Sequence, residues 1–332
     1  MKRVVITGPR QFRIEEVPEP ERKPGEVLLK VLFVGICGSD LHTYRGSNPL
    51  LTYPIVPGHE LSCEVIGSDG TFSPGDRVVV EPLLACGQCY PCRVGRYNCC
   101  ENLKVLGVQT DGGMVEEIVL PSRLVHRLPD GADPSFAPLV ETLSIGYRAC
   151  NRGRVQNGDT VLVIGAGPIG LGAALVAKER GTTVGIIDPF GPRLELAREL
   201  GIDFGFDLQD NLQERVIAAF GRRPNVVIEA VGNPLTLEQS LDIVSAAGRV
   251  VFVGWTSESP RWRPDLFLKK ELELLGSRNS SGIFPEVIQF YFRNLDRVKR
   301  LVTHRFRMEE IERAMAFIDA SGSQTMKVIL GW

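Results

Sequence analysis

Four cysteines share one short segment of the chain and are spaced as metal ligands: Cys86, Cys89, Cys92 and Cys100. This spacing is typical of a closed tetrahedral thiolate site for structural zinc, here in a lobe of about residues 84–102. Disulfide bonds are the alternative, but a long chain without an export signal favours metal. Cys99 is expected to be spare, and Cys63 and Cys150 lie in apolar surroundings and are expected to be buried core thiols.

A second set of ligand-type residues is spread over the first half of the chain: Cys37, His59, Glu60 and Glu141. Sulfur, imidazole and carboxylate together are typical of a zinc site that keeps one position open for chemistry. Cys37 lies in the segment GICGSDLH at 35–42, which we interpret as a loop that follows a strand. The segment also supplies a hydroxyl and two titratable groups, from Ser39, Asp40 and His42.

Length and composition indicate a folded protein of two domains. The 332 residues are 43% apolar and 23% charged, which is ordinary for globular chains. A net charge of −2 gives no attraction to nucleic acid or to anionic lipid, so neither a zinc-finger nucleic-acid binder nor a protein bound to a membrane surface is expected. The uncharged stretch 161–177 is of marginal length for a membrane span, and its glycines are better explained by a phosphate turn. The N-terminal run 1–6 ends at Gly8 and Pro9, before a signal peptide could develop, and we expect a cytoplasmic protein.

The pattern of apolar residues changes along the chain. Up to about residue 140, glycine and proline separate short β-rich runs such as 27–34, 62–66 and 77–80, which predicts a mainly β domain. From residue 158 onward, β-rich runs alternate with helical periods, which predicts a doubly wound parallel sheet. The predicted strands are 160–164, 183–188, 226–229, 249–254 and 272–276, and a last strand is predicted at 326–330. One helix is predicted to end near residue 180, and two others are predicted at 193–200 and 308–319.

The glycine-rich turn at 165–170 has the fingerprint of a dinucleotide site, with Gly165, Gly167, Pro168, Ile169 and Gly170 between a strand and a helix. Its first glycine permits a tight turn, its second lets the backbone approach a pyrophosphate, and its third allows close packing of helix on strand. Asp188 ends the next predicted strand, where a carboxylate accepts hydrogen bonds from ribose hydroxyls and repels a 2′-phosphate. We therefore expect NAD rather than NADP, although Arg193 lies near enough to pair with a phosphate.

Taken together, these motifs resemble those of the zinc-containing medium-chain alcohol and polyol dehydrogenases. The resemblance covers essentially the full chain, through GICGSDLH, GHE at 58–60, GDRV at 75–78, the four cysteines, DGG at 111–113, GAGPIG and VTHRF at 302–306. It implies an α/β protein with a Rossmann-type NAD-binding domain at 147–278. The segments 1–146 and 279–332 would form a GroES-like catalytic zinc domain.

The resemblance also implies the reaction and the site residues. Catalytic zinc would be held by Cys37, His59 and one of the carboxylates Glu60 and Glu141, and a second zinc by the four-cysteine lobe. Zinc lowers the pKa of a bound hydroxyl so that an alkoxide forms and expels hydride toward the nicotinamide. Ser39 would receive the proton as the first relay step, and His42 or Asp40 would extend or support that path, with Asp40 favoured as the group that orients the ligands. Nicotinamide contacts are implied for Val231, Val253 and Arg278.

The subgroup that the chain resembles acts on sugar acids, as the hexonate 5-dehydrogenases do. This implies oxidation of a secondary alcohol of a small sugar acid or polyol to a ketone, by a homodimer or homotetramer. Gln109 stands where such members often carry histidine, so a threonine or simple alcohol dehydrogenase is the alternative within the class. A sensor that binds zinc and NAD without turnover is the alternative outside it.

Overall fold

The computed structural model describes residues 1–47, 52–68 and 70–332. These residues form two compact units, one of Met1–Glu141 with Ser281–Trp332 and the other of Thr142–Ser280. The first unit is therefore assembled from the two ends of the chain.

The first segment of the first unit is rich in strands. They are β1 (Lys2–Gly8), β2 (Gln11–Glu16), β3 (Glu26–Ile36), β4 (Glu60–Gly67), β5 (Arg77–Val80), β6 (Leu83–Leu84), β7 (Lys104–Val105), β8 (Glu117–Pro121) and β9 (Val125–Arg127). Two short helices interrupt them in the described residues, α1 (Gly38–Arg45) and α2 (Tyr90–Arg93). A longer helix, α3 (Leu139–Arg152), then leads into the second unit.

Strands and helices alternate through the second unit. The strands are β10 (Thr160–Ile164), β11 (Thr183–Ile187), β12 (Phe204–Phe206), β13 (Val226–Glu229), β14 (Arg249–Phe252) and β15 (Glu273–Gly276). The helices are α4 (Pro168–Glu179), α5 (Gly191–Glu199), α6 (Leu212–Phe220), α7 (Pro234–Ile243) and α8 (Pro264–Lys270). The return segment of the first unit contributes α9 (Phe284–Arg293), α10 (Leu295–Val298), β16 (Val302–Arg307), α11 (Ile311–Ser321) and β17 (Lys327–Gly331).

The strands of the second unit form one parallel sheet in the order β12-β11-β10-β13-β14-β15. All five residues of the central strand β10 are buried and apolar or β-branched, as expected for a strand covered by helices on both faces. The strand order reverses next to β10, which is where doubly wound sheets bind nucleotides. The predicted doubly wound parallel sheet is confirmed.

The first unit is organised around the long strand β3. It lies between β17 and β4, both antiparallel to it, in a sheet ordered β16-β17-β3-β4-β5-β9, and β8 also pairs with it. Alternate side chains of β3 enter the core, where Val27 and Leu29 are fully buried. Val328 of β17 pairs with Ile36, so the last strand brings residue 327 beside the segment that carries Cys37.

The interpretation of 35–42 as a loop is wrong, because α1 begins at Gly38. Cys37 occupies the position before the helix, and the Asp40 carboxylate accepts a hydrogen bond from the Cys37 N–H at 2.9 Å, which caps the first turn. Gly46 ends the helix with a φ of 77°. Further along, residues 308–310 form a 3₁₀ turn before α11, so the predicted helix at 308–319 starts later than expected.

The uncharged stretch 161–177 is divided between β10 and α4. Among the described residues, none of the helices has the length and apolar character needed to span a bilayer.

Candidate functional site

Three of the proposed ligands for catalytic zinc converge in the first unit. One ligand atom from each of Cys37, His59 and Glu60 lies within 4.8 Å of the other two. Cys37 follows β3, His59 directly precedes the neighbouring strand β4, and Glu60 is the first residue of β4. His59 and Glu60 are buried, while Cys37 is half-buried. The group offers sulfur, nitrogen and oxygen to a single ion, which is a donor set that suits zinc.

A glycine in β3 makes room for the carboxylate of this group. Gly35 pairs with Glu60 across the two strands, and a Cβ atom at Gly35 would lie only 2.0 Å from Glu60 Oε2. The first glycine of the segment GICGSDLH is therefore required for the position of the Glu60 side chain.

The charges around the group favour a cation. Asp40, Glu60 and Glu141 are all buried. Burial raises the pKa of Asp40. Burial and the charges of Glu60 and Asp40 raise the pKa of Glu141 to about 7. Burial lowers the pKa of His59, but Asp40 and Cys37 outweigh it and raise that pKa well above its ordinary value. Carboxylates crowded together away from water are destabilising unless a positive charge balances them, so these residues fit a divalent ion.

Asp40 lies next to two of the proposed zinc ligands, Cys37 and His59. Its Oδ1 atom is 3.9 Å from His59 Nδ1, and both atoms are buried without a hydrogen-bond partner among the described residues. Its Oδ2 atom holds the Cys37 N–H. At 3.9 Å the carboxylate faces the imidazole without a hydrogen bond to it, and the orientation of His59 by Asp40 stays a prediction.

Lys327, the first residue of β17, was not among the site residues predicted from the sequence. Its ammonium donates to Glu60 Oε1 at 2.6 Å, to Glu60 Oε2 at 2.9 Å and to the Ile36 carbonyl at 3.2 Å, and its side chain is only 3% exposed. Three acceptors match the three protons of the ammonium. A single lysine inside the apolar run MKVIL was the available signal, because a charged residue on a buried strand needs a partner.

Glu141, the alternative carboxylate, lies in the first turn of α3 and is 8% exposed. It falls outside the group of Cys37, His59 and Glu60. Its charge nevertheless contributes to raising the pKa of both His59 and Lys327, so it belongs to the same electrostatic environment.

The two residues proposed for proton transfer lie on α1, three positions apart. Ser39 is half-buried and His42 is exposed. The ring of His42 reaches Ser47, with Nδ1 at 3.0 Å from Ser47 Oγ. Residues at this spacing are neighbours on the surface of a helix, and the proton path through them stays a prediction.

The four cysteines of the predicted lobe form a second group whose sulfur atoms all lie within 4.8 Å of one another. The Sγ atoms of Cys89 and Cys92 are 3.4 Å apart, and those of Cys89 and Cys100 are 3.8 Å apart. Cys99 is exposed and lies outside the group. Cys63 and Cys150 are fully buried elsewhere, as expected of core thiols.

Backbone N–H groups point at these sulfur atoms. Those of Cys86 and Asn102 each lie 3.3 Å from Cys100 Sγ. The N–H groups of Gln88 and Cys89 lower the pKa of Cys86 to about 6. Donors aimed at sulfur stabilise the thiolate, which is the form that binds zinc.

The dinucleotide fingerprint joins β10 to α4. A Cβ atom at Gly170 would lie 1.8 Å from the carbonyl oxygen of Gly165, whereas one at Gly167 would meet nothing within 4 Å. Gly170 is thus needed for the turn itself, and Gly167 leaves open space where α4 begins, at Pro168 and Ile169. This space fits a pyrophosphate at a helix N-terminus.

Asp188 follows β11 and is tied to the same turn. It is 3% exposed, with Oδ2 accepting from the Ala166 N–H at 2.8 Å and Oδ1 from the Phe190 N–H at 2.9 Å. Arg193 places Nη1 at 3.7 Å from Asp188 Oδ2 and its guanidinium over the Phe190 ring. The carboxylate therefore offsets the charge of the arginine.

Glu229, which ends β13, is a second residue of structural importance that was not predicted from the sequence. Its Oε1 atom accepts from the N–H groups of Val231 and Gly232, each at 2.9 Å, and from the Thr236 hydroxyl at 2.8 Å. Glu229 is fully buried, and its hydrogen bonds fix the loop that carries Val231. Val231 itself is half exposed. An acid at the end of an apolar strand was the available signal.

The remaining proposed nicotinamide contacts follow β14 and β15. Val253 is half-buried directly after β14, and Arg278 is exposed two residues after β15. Asp188, Val231, Val253 and Arg278 thus follow strands of the parallel sheet at their carboxyl ends, whereas Arg193 lies on α5.

Comparison with protein families matches two regions of the chain. Residues 23–130 match the alcohol dehydrogenase GroES-like domain, and residues 168–293 match the zinc-binding dehydrogenase family. Sorbitol dehydrogenase from Bacillus subtilis is 34% identical over 99% of this chain and 97% of its own length. L-galactonate-5-dehydrogenase from Escherichia coli is 36% identical over 89% of this chain and 88% of its own. The chain belongs to the zinc-binding alcohol dehydrogenase family.

A solved structure supports this assignment of the dehydrogenase. The Escherichia coli alcohol dehydrogenase rspB, in complex with the cofactor NADH, superposes with a TM-score of 0.94 at 34% identity, over 100% of this chain and 99% of its own. The predicted resemblance and the predicted GroES-like and Rossmann-type fold are confirmed. The enzyme is a zinc-dependent dehydrogenase of the class that acts on alcohols and polyols.

Proposed function

We propose that this enzyme oxidises a secondary alcohol of a sugar acid or polyol to a ketone and transfers the hydride to NAD. The observation that carries the proposal is the convergence of Cys37, His59 and Glu60, in a chain that also has a glycine turn open to a pyrophosphate. Similarity to enzymes named sorbitol dehydrogenase and L-galactonate-5-dehydrogenase supports a polyhydroxy substrate.

Side chains around the catalytic zinc would orient the ligands and carry the proton. Bound by Cys37, His59 and a carboxylate, zinc supplies the Lewis acidity that makes an alcohol proton easier to remove. Asp40 orients His59, and Lys327 neutralises Glu60. Ser39 receives the proton and passes it toward solvent by way of His42.

The hydride acceptor would be held by the second unit. Gly167 admits the pyrophosphate, and Asp188 accepts hydrogen bonds from the adenosine ribose while its charge repels a 2′-phosphate. Val231, Val253 and Arg278 would contact the nicotinamide half. In the balanced reaction the alcohol loses one hydride to NAD⁺ and one proton to Ser39, and yields a ketone, NADH and a proton in solvent.

The test is a substrate screen combined with metal analysis. The purified enzyme is assayed with polyols, aldonates, simple alcohols and threonine, each with NAD and with NADP, and its zinc content is measured. We expect two zinc ions per chain and NADH formation with an aldonate or polyol. Highest activity with threonine or a simple alcohol would contradict the substrate class, and NAD binding without any turnover would favour the sensor alternative.

Paired variants at Ser39 test the proton path. Ser39→Ala removes the hydroxyl, whereas Ser39→Thr keeps it. We expect the alanine variant to lose about a hundredfold in kcat and the threonine variant to retain most of it. Equal activity of the two variants would remove Ser39 from the path.

Light scattering on the same preparations would test the expected dimer or tetramer.

A further inference from the structure

A polar network links the four-cysteine lobe to the segment at which the chain returns to the first unit. Tyr97 lies in the 3₁₀ turn of the lobe, donates its hydroxyl to Glu81 Oε1 at 2.6 Å and accepts from the Gly282 N–H at 2.5 Å. A second bond is also donated by the return segment, from the Ser281 hydroxyl to the Gly95 carbonyl at 3.1 Å. Two residues of the lobe therefore hold two consecutive residues of the return segment.

The network is anchored in the core of the first unit. Glu81 is 4% exposed, and its Oε2 atom lies 3.4 Å from His126 Nε2. The His126 ring stacks at 5.1 Å on Phe284, which is fully buried and begins α9. Burial and the charge of Glu81 raise the pKa of Tyr97, so the phenol keeps its proton and remains a donor at neutral pH.

The return segment is close in sequence to a proposed cofactor contact. Ser281 follows Arg278 by three residues, and Ser280 and Ser281 are both buried whereas Arg278 is exposed. Fixing the backbone at 281 and 282 restricts the conformations open to the few residues before it, since a short chain attached to a fixed point has little freedom.

We propose that Tyr97 is a positioning residue, through which the four-cysteine lobe fixes residues 281–284 and thereby places Arg278 for cofactor binding. The cofactor part rests on the proposed function, because Arg278 contributes only if the enzyme binds NAD. The lobe then has a role in the active site beyond stability, as the structural support of a binding segment.

The experiment compares Tyr97→Phe with Tyr90→Phe, a matched control in the same lobe whose side chain is 67% exposed. Hydrogen exchange at the Gly282 amide, NADH affinity by fluorescence titration and zinc content are measured. For Tyr97→Phe we expect exchange at Gly282 to be about tenfold faster and the NADH dissociation constant to rise about threefold, with both zinc ions retained. The control should match the unaltered enzyme.

Unchanged exchange at Gly282 in Tyr97→Phe would overturn the proposal, as would faster exchange with unchanged NADH affinity. If Tyr97→Phe does not fold, Ser281→Ala removes the bond to Gly95 without altering the lobe, and the same two criteria apply to it. An unaltered enzyme that does not bind NADH would instead refute the proposed function, and the exchange at Gly282 would still decide whether Tyr97 holds the segment.

Discussion

Lys327 is the residue whose replacement should separate metal affinity from catalysis. Lys327→Met removes a buried positive charge that contacts Glu60, so repulsion of a zinc ion falls and Glu60 becomes a stronger ligand. We expect the catalytic site to bind zinc about tenfold more tightly, measured by competition with a chelator, while kcat falls. The metal-free variant should lose roughly 3–5 kcal/mol of stability, because one partner of a buried ion pair is gone.

Lys327→Arg is the control, since it keeps the charge and should keep a zinc affinity close to that of the unaltered enzyme. Zinc affinity that is the same in the methionine and unaltered proteins would show that Lys327 does not act on the metal site through its charge. Cobalt in place of zinc gives an additional readout, because the absorption spectrum of the ion reports a change of carboxylate ligand without any turnover.

Asp188 should set the choice of dinucleotide. Asp188→Asn removes the charge that repels a 2′-phosphate and that offsets Arg193. We expect the ratio of kcat/KM for NAD over NADP to fall about tenfold or more. The amide keeps one acceptor of two, so a backbone bond to Ala166 or Phe190 is lost at a cost of about 1–3 kcal/mol.

The matched variant for this prediction is Arg193→Met in the Asp188→Asn background. Removing the arginine should reduce the gain with NADP, because only the lost repulsion by Asp188 then contributes to it and the pairing of Arg193 with the phosphate is gone. A ratio that stays constant across the three proteins would assign dinucleotide selection to other residues.

At the level of elements, the features that could be predicted are those that depend on residues close together in the sequence. The alternation of strands and helices in the second unit and the spacing of Cys86 to Cys100 are local patterns, and both led to the correct fold. Helix α1 was missed because it has only eight residues, and its signals are the capping Asp40 and the terminal Gly46. Short helices rarely show a clear apolar period.

Contacts between distant parts of the chain could not be predicted. Lys327 and Glu60 are 267 residues apart, and only the pairing of β17 with β3 brings the last strand beside the ligand. The same limit applies to Tyr97 and Gly282, which are 185 residues apart. Sequence spacing alone gave no reason to pair either set.

The turn between β10 and α4 offers a test at the scale of one element, because two of its glycines have different roles. Gly170→Ala places a Cβ atom against the Gly165 carbonyl, so we expect a stability loss of roughly 2–4 kcal/mol. Gly167→Ala meets no protein atom, so its melting temperature should be unchanged while the NADH dissociation constant rises about tenfold. Thermal melting and fluorescence titration distinguish them.

Gly191→Ala serves as the control for both, since it lies at the start of α5 with nothing within 4 Å of its added Cβ atom. If Gly167→Ala bound NADH as tightly as this control, the space beside Gly167 would not be the pyrophosphate site.

For the molecule as a whole, both ligand groups belong to the unit that is built from the two ends of the chain. The four-cysteine lobe holds the return segment through Tyr97 and Ser281, and β17 carries Lys327 to the catalytic group. Removing the zinc of the lobe should therefore destabilise the return segment as well as the lobe, because the lobe holds that segment.

Cys89→Ser tests this dependence. Cys89 lies between two other thiols of the group, and its loss leaves three ligands for an ion that requires four. We expect one zinc per chain instead of two and a melting temperature lower by at least roughly 5 °C. Cys99→Ser is the control, because the exposed Cys99 lies outside the group. If Cys89→Ser had the same melting temperature as Cys99→Ser, the lobe would not stabilise the first unit. The zinc bound by the lobe would then need another role.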